Sequence, residues 1–329
     1  DMVCYQEEVR DPSRMAEVLN RVIEKAFRGS APAQINVPRD YWTQVIDIEL
    51  PPIVRFERQG GGKEAIENAA KLLSKAKFPV ILSGAGVVLG GAIEECKKLA
   101  EKLDAPVCNG YQHNDSFPGS HPLAVGPLGY NGSKAAMELI SKADVVLALG
   151  TRLNPFSTLP GYGIDYWPKK ATIIQVDMNP DRIGLTKKVS VGICGDAKQV
   201  AQQILDKLTS DAGNTGREER KNLIHKTKSA WLQTLSGLDH EEDDPGTVWN
   251  KEARERDKDR MSPRQAWRAI QDALPQDAII SSDIGNNCAI GNAYPTFEKP
   301  RKYLAPGLFG PCGYGCLLYT SDAADDVIS

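Results

Sequence analysis

The chain has 329 residues, enough for roughly two domains at about 150 residues each. Hydrophobic residues make up 41% and charged residues 25%, a globular composition that excludes a wholly disordered or collagen-like chain. Forty basic residues against 43 acidic ones leave a net charge of −3, so no nucleic-acid surface is demanded, and no apolar run approaches the about 18–20 residues that span a bilayer.

The N-terminus has Glu7 and Glu8 close behind Cys4, with no basic segment leading into an apolar one, so no secretory signal is expected. The seven cysteines are scattered and form no CxxC pair. Reduced thiols in a cytosolic protein are the expectation. Asp11 or Ser13 is placed to cap a helix over Met15–Phe27, with Val18, Val22 and Ile23 at helical spacing. Residues 34–37 read as a short strand ended by Pro38. One helix and one strand cannot bury a domain-sized core. Residues 1–50 are therefore expected to be the end of a domain that begins elsewhere. Pro51-Pro52 and Gly60–Gly62 read as a linker.

Residues 62–210 alternate regularly. Ile66, Ala69, Ala70 and Leu73 mark a helix, and Val80–Ser83 an apolar strand with a glycine turn behind it. Ile93, Cys96, Ala100 and Leu103 mark the next helix, and Val107-Cys108 the next strand. A loop rich in Gly, Pro and Asn spans 109–132. A helix near 134–141 precedes strands at 145–149, 172–176 and 189–193, and Val200, Ile204 and Leu208 line a closing helix. Near-continuous apolar strands alternating with helices predict a parallel, doubly wound α/β domain covered on both faces. Residues 211–261 are dense in charge and read as a linker carrying one helix around Trp231 and Leu235. The run His240–Asp244 reads as solvated, not as a metal site.

Ser262 followed by Pro263 is a strong helix start, with Ala266, Ile270 and Leu274 behind it. A strand over 277–280 runs into Ser281–Asn287, and a second over 303–305 runs into a glycine-rich loop, Gly307–Gly315. Residues 262–316 are too few for a domain, so the chain reads as cut at both ends. Residues 317–329 show neither helical nor strand periodicity and are expected to be a non-native or disordered tail.

Three features bear on chemistry. Ser83–Gly90 follows a strand and precedes a helix, as a phosphate-cradling turn would, but the third glycine of GxGxxG would fall at Leu89. A tight packing turn and a nucleotide site are both open readings here. His113 and His121 fit no zinc spacing. Asp283–Asn287 and Gly307–Gly315 are two strand-end loops, one with amides and N–H groups suited to an anion, the other with glycines suited to close approach of a flat ring.

In order along the chain, Ala33–Asp40, Gly119–Leu123, Leu147–Arg152, Ile174–Pro180, Gly195–Ala197, Asp283–Asn287 and Gly307–Gly315 resemble the thiamine-diphosphate enzymes of the acetolactate synthase and pyruvate oxidase type. The resemblance implies three α/β domains in the order pyrimidine-binding, central and diphosphate-binding, here truncated around a complete central domain. It implies thiamine diphosphate and Mg²⁺ as cofactors, a small-molecule substrate and a homodimer or homotetramer. By resemblance, Ile284 and Gly285, with Asn286 and Asn287, would hold the diphosphate. The Gly310 carbonyl would accept from the pyrimidine amino group. Cys312 stands where the family has a bulkier apolar wedge. The catalytic glutamate and the metal motif would lie outside this stretch, so no catalytic residue and no metal ligand is expected in it.

Overall fold

A computed structural model describes residues 3–29, 31–50, 57–238, 261–307 and 310–316. Pro51-Pro52, the acidic run His240–Asp244 and the tail 317–329 lie outside the described residues. The chain divides into two compact units, Asp1–Glu57 and Arg58–Ser329.

In the first unit, strand β1 (Tyr5–Glu8), helix α1 (Met15–Gly29) and strand β2 (Ala33–Asn36) form a βαβ turn. β1 and β2 pair in parallel, Tyr5 opposite Ala33 and Glu8 opposite Asn36. Asp11 accepts from the Ser13 N–H at 2.9 Å and starts the turn that leads into α1. Val18 and Val22 of α1 close a small core with Val9. β1 was not expected, because its sequence Tyr-Gln-Glu-Glu carries no apolar run.

The second unit is built on helix α2 (Lys63–Lys75), strand β3 (Pro79–Ser83), helices α3 (Ala85–Gly90) and α4 (Ile93–Leu103) and strand β4 (Val107–Asn109). Strand β5 (Ala124–Pro127), helix α5 (Lys134–Ile140), strands β6 (Val145–Leu149), β7 (Thr172–Asp177) and β8 (Val191–Cys194) and helix α6 (Ala197–Lys207) follow. The six strands form one parallel sheet in the order β5-β4-β3-β6-β7-β8. All five residues of β3 and of β6 are buried, as strands covered on both faces must be. Ile66, Leu73, Leu99 and Ile204 pack against the sheet. The doubly wound α/β fold read from the apolar runs is present, with β5 as an edge strand inside the stretch expected to be loop.

Helix α7 (Arg217–Leu238) occupies part of the stretch expected as a charged linker. It is not a solvated connection, since Arg220, Ile224, Thr227, Trp231 and Leu235 are buried along one face. Helix α8 (Pro263–Ala273) starts at a capping box between Ser262 and Gln265. Strand β9 (Ile280–Ser281), helix α9 (Asn286–Gly291) and strand β10 (Tyr303–Leu304) complete the unit. β9 and β10 pair in parallel, Ile280 opposite Tyr303.

Candidate functional site

The sheet order reverses between β3 and β6, where an open α/β sheet offers a crevice at its strand ends. The glycine turn behind β3 fills that crevice with backbone. The Gly84 N–H donates to the Leu149 carbonyl at 3.1 Å and the Gly86 N–H to the Gly150 carbonyl at 2.8 Å. A Cβ on Gly86 would lie 2.7 Å from Gly150 Cα. These glycines let two strand-end loops touch, and their N–H groups are spent on carbonyls instead of pointing at a phosphate.

The two loops singled out at the end of the chain are neighbours. Parallel pairing of β9 with β10 sets their ends side by side, and Asp283 joins them. Its carboxylate accepts from the Gly313 N–H at 2.8 Å and from the Ile284 N–H at 2.7 Å. The Ile284 N–H is therefore already engaged. Gly285, at φ 105°, Asn286 and Asn287 remain exposed just beyond it. Gly310, at φ 58°, sits against Ile284, where a Cβ would lie 3.0 Å from Cγ1. Both glycines hold left-handed backbone that other residues resist. Cys312 and Cys316 are exposed. Trp267 of α8 braces α9, its indole N–H donating to the Asn287 carbonyl at 2.9 Å.

α9 is held from its other end by the loop after β4. Asn292 is fully buried; its Oδ1 accepts from the Gln112 N–H at 3.2 Å, and its Nδ2 donates to the Leu128 and Tyr130 carbonyls. Asn114 Nδ2 donates back to the carbonyls of Asn292 and Pro295 at 2.9 and 2.8 Å. Asp115 Oδ2 accepts from the Lys302 N–H at 3.0 Å, and Glu298 takes the Ser120 N–H and hydroxyl. Phe297 stacks on Tyr303. Sequence reading missed these anchors, because isolated asparagines in loops carry no pattern that sets them apart from turn residues.

Electrostatics along this seam favour neutral groups. Burial holds the His113 imidazole below its ordinary pKa, against the pull of Asp115. Burial, then the neighbouring Cys288 thiol, pushes the Tyr111 phenol up, and burial does the same to Tyr303. His121 is no metal ligand here: its Nδ1 accepts from the Leu123 N–H and its Nε2 meets Glu101 at 3.2 Å.

The donor set fits an anionic diphosphate. Two exposed carboxamides and a left-handed glycine stand together, and the neighbouring Asp283 carboxylate is turned inward onto backbone N–H groups. Residues 66–204 match the family described as thiamine pyrophosphate enzyme, central domain. Residues 66–204 thus carry the pattern of that central domain. The chain is 79% identical over 315 residues to the probable sulfoacetaldehyde acetyltransferase of Rhizobium meliloti (strain 1021), covering 96% of this chain and 53% of that protein. It is 78% identical to the sulfoacetaldehyde acetyltransferase of Roseovarius nubinhibens, covering 96% of this chain and 52% of that protein. Identity is 30% to the probable acetolactate synthase large subunit of Methanocaldococcus jannaschii, over 94% of this chain and 51% of that protein. The chain spans about half the length of the curated relatives it matches.

Proposed function

We propose that this chain is part of a sulfoacetaldehyde acetyltransferase. The enzyme converts sulfoacetaldehyde and phosphate into acetyl phosphate and sulfite, a step in the breakdown of taurine-type sulfonates. The observation that carries this reading is the contrast in identity, 79% to a relative of that name against 30% to an acetolactate synthase. The reaction balances as written: the carbon–sulfur bond breaks, sulfite leaves, and the aldehyde carbon ends as an acyl group on phosphate oxygen.

Thiamine diphosphate, when bound, supplies the nucleophilic carbon for this aldehyde chemistry. In this reading Gly285, Asn286 and Asn287 donate to the diphosphate. Ile284 supports the site through its side chain against Gly310, since its N–H is held by Asp283. The Gly310 carbonyl would accept from the pyrimidine amino group, and Cys312 would take the position of the family's apolar wedge. The Asn292 and Asn114 anchors keep α9 in register with the central sheet, which orients those amides. Magnesium enters the proposal as the counterion of the diphosphate, with no ligand assigned to it among the described residues. The enzyme is proposed to work in the cytoplasm as a homodimer or homotetramer. No helix among the described residues is long and apolar enough to cross a membrane.

The test uses the full-length enzyme that contains this chain. With thiamine diphosphate, Mg²⁺ and phosphate it should release sulfite from sulfoacetaldehyde, and release should stop when the cofactor is withheld. Condensation of pyruvate to acetolactate with no sulfite would replace this reading with the carboligase one.

A further inference from the structure

Gln112 is the most anomalous residue of the seam. It is 3% exposed, its backbone is left-handed at φ 60°, and neither Nε2 nor Oε1 has a hydrogen-bond partner among the described residues. A buried carboxamide with both ends unpaired is costly, and such groups in a native fold have a reason. A non-glycine residue in this backbone region also stores strain, which persists only where the surroundings enforce it. The surroundings do so. The Gln112 N–H is held by Asn292 Oδ1, the Tyr111 N–H donates to Ser157 Oγ at 3.0 Å, and Asn114 is tied to Asn292 and Pro295. The backbone is pinned on both sides while the side chain has no hydrogen-bond partner among the described residues.

The carboxamide points at the first glycine of the Gly307–Gly315 loop. A Cβ on Gly307 would lie 2.4 Å from Gln112 Oε1, so the amide occupies the space that a side chain there would take. Asn114 Oδ1, two residues on, is a second buried acceptor without a partner among the described residues. The Gln112 carboxamide thus stands against Gly307, the first residue of the loop that the proposed function places against the cofactor ring.

We propose that Gln112 binds the phosphate co-substrate and sets specificity for it. The proposal rests on the acetyl-transfer reading above. A carboxamide offers a donor and an acceptor side by side. Hydrogen phosphate matches both, because a P–O⁻ oxygen accepts from Nε2 while its P–OH donates to Oε1. A sulfonate has no proton at neutral pH and can satisfy only the donor. The same amide therefore favours phosphate over the sulfonate of the other substrate. Leaving one end of a buried pair unmatched is how such sites reject the wrong ligand.

The experiment compares the full-length, cofactor-loaded enzyme with its Gln112→Leu and Gln112→Glu variants. Binding of inorganic phosphate is read by calorimetry, and KM is measured separately for phosphate and for sulfoacetaldehyde. Gln112→Leu should raise the phosphate Kd and KM at least tenfold, equivalent to about 1.4 kcal/mol, with the sulfoacetaldehyde KM within twofold of wild type. Gln112→Glu keeps the shape but adds negative charge, and should weaken phosphate further. Unchanged phosphate binding in both variants, or equal rises in both KM values, would overturn the proposal, as would wild-type enzyme that fails to bind phosphate. If wild type binds phosphate but forms no acetyl phosphate, the acetyl-transfer reading fails while the calorimetry still decides the role of Gln112.

Discussion

Replacing Arg220 tests what fastens α7 to the central sheet. This arginine is 1% exposed, yet among the described residues it forms no ion pair; Asp104, its neighbour, pairs with Arg217 instead. Its five N–H groups go to carbonyls instead: Nε to Asp104 at 2.9 Å, Nη1 to Lys77 and Thr215 at 2.7 and 2.8 Å, and Nη2 to Leu103 and Gly213. Leu103 and Asp104 end α4, so the cation also meets the negative end of a helix. Burial lowers the Arg220 pKa from its ordinary value, with nearby Asp104 pulling the other way, and the group stays charged. Hydrogen bonds to a charged donor contribute about 1.5–3 kcal/mol each, so five would sum to roughly 7–15 kcal/mol if they added. Desolvating the cation costs several kcal/mol against that. The bonds are not additive, and removing one side of a buried charged arrangement typically costs about 3–5 kcal/mol, the loss expected for Arg220→Met, because the carbonyls stay buried and lose their donors. That corresponds to a fall in melting temperature of roughly 10 °C. Arg220→Lys should recover less than half, since three donors on a flexible stem cannot reach five carbonyls. Urea titration and calorimetry read both. A loss below about 1 kcal/mol for Arg220→Met, or a lysine variant as stable as wild type, would refute the argument.

Other consequences follow from the same geometry. Gly86→Ala puts a methyl group 2.7 Å from Gly150 Cα, and should cost about 1–3 kcal/mol, measured by denaturant midpoint. Asn292→Ala removes the hub between Gln112, Leu128 and Tyr130 and should cost about 2 kcal/mol. With a protease site engineered between Leu238 and Met261, the nicked halves should co-elute for wild type and separate more readily for this variant. His113 has a depressed pKa in the fold, so the unfolded chain binds the proton first, starting near its ordinary pKa of about 6.5. Stability from this group should therefore fall as pH drops below about 6.5, and His113→Gln should flatten the slope seen in urea melts from pH 7 to 5. Burial pushes the Cys96 thiol up to about 12 and the Cys108 thiol higher still. Alkylation with mass-spectrometric readout should label exposed Cys4, Cys312 and Cys316 in the native protein, and Cys96 and Cys108 only after unfolding.

The central sheet was legible because its strands are apolar on both faces. Val145–Leu149 could be little else once helices were read on either side of it. β1 escaped notice because it is a polar strand, half exposed and paired among the described residues with β2 alone. β5 escaped because Gly126 and Pro127 punctuate an edge strand like a loop. α7 looked like a solvated linker helix since its buried stripe opens with an arginine, which pattern reading assigns to solvent. At the candidate site the glycine-rich loops were legible, and their adjacency followed from parallel pairing. The seam was not, because its contacts join single residues far apart in the chain. Asn114 meets Asn292 across 178 positions, and Lys302 meets Asp115 across 187. No local periodicity encodes such a pair. The engagement of the Ile284 N–H by Asp283 was hidden for a different reason: the two residues are adjacent, and a side-chain rotamer decides the contact.

Acetyl transfer is the central claim, and the most direct measurement follows its two products together. Full-length enzyme with sulfoacetaldehyde, phosphate, thiamine diphosphate and Mg²⁺ is sampled over time, with acetyl phosphate read by phosphorus NMR and sulfite by colorimetry. Acetyl phosphate and sulfite should rise in equal amounts and stop together when phosphate is exhausted. Acetolactate from added pyruvate, with neither product formed, would contradict the account.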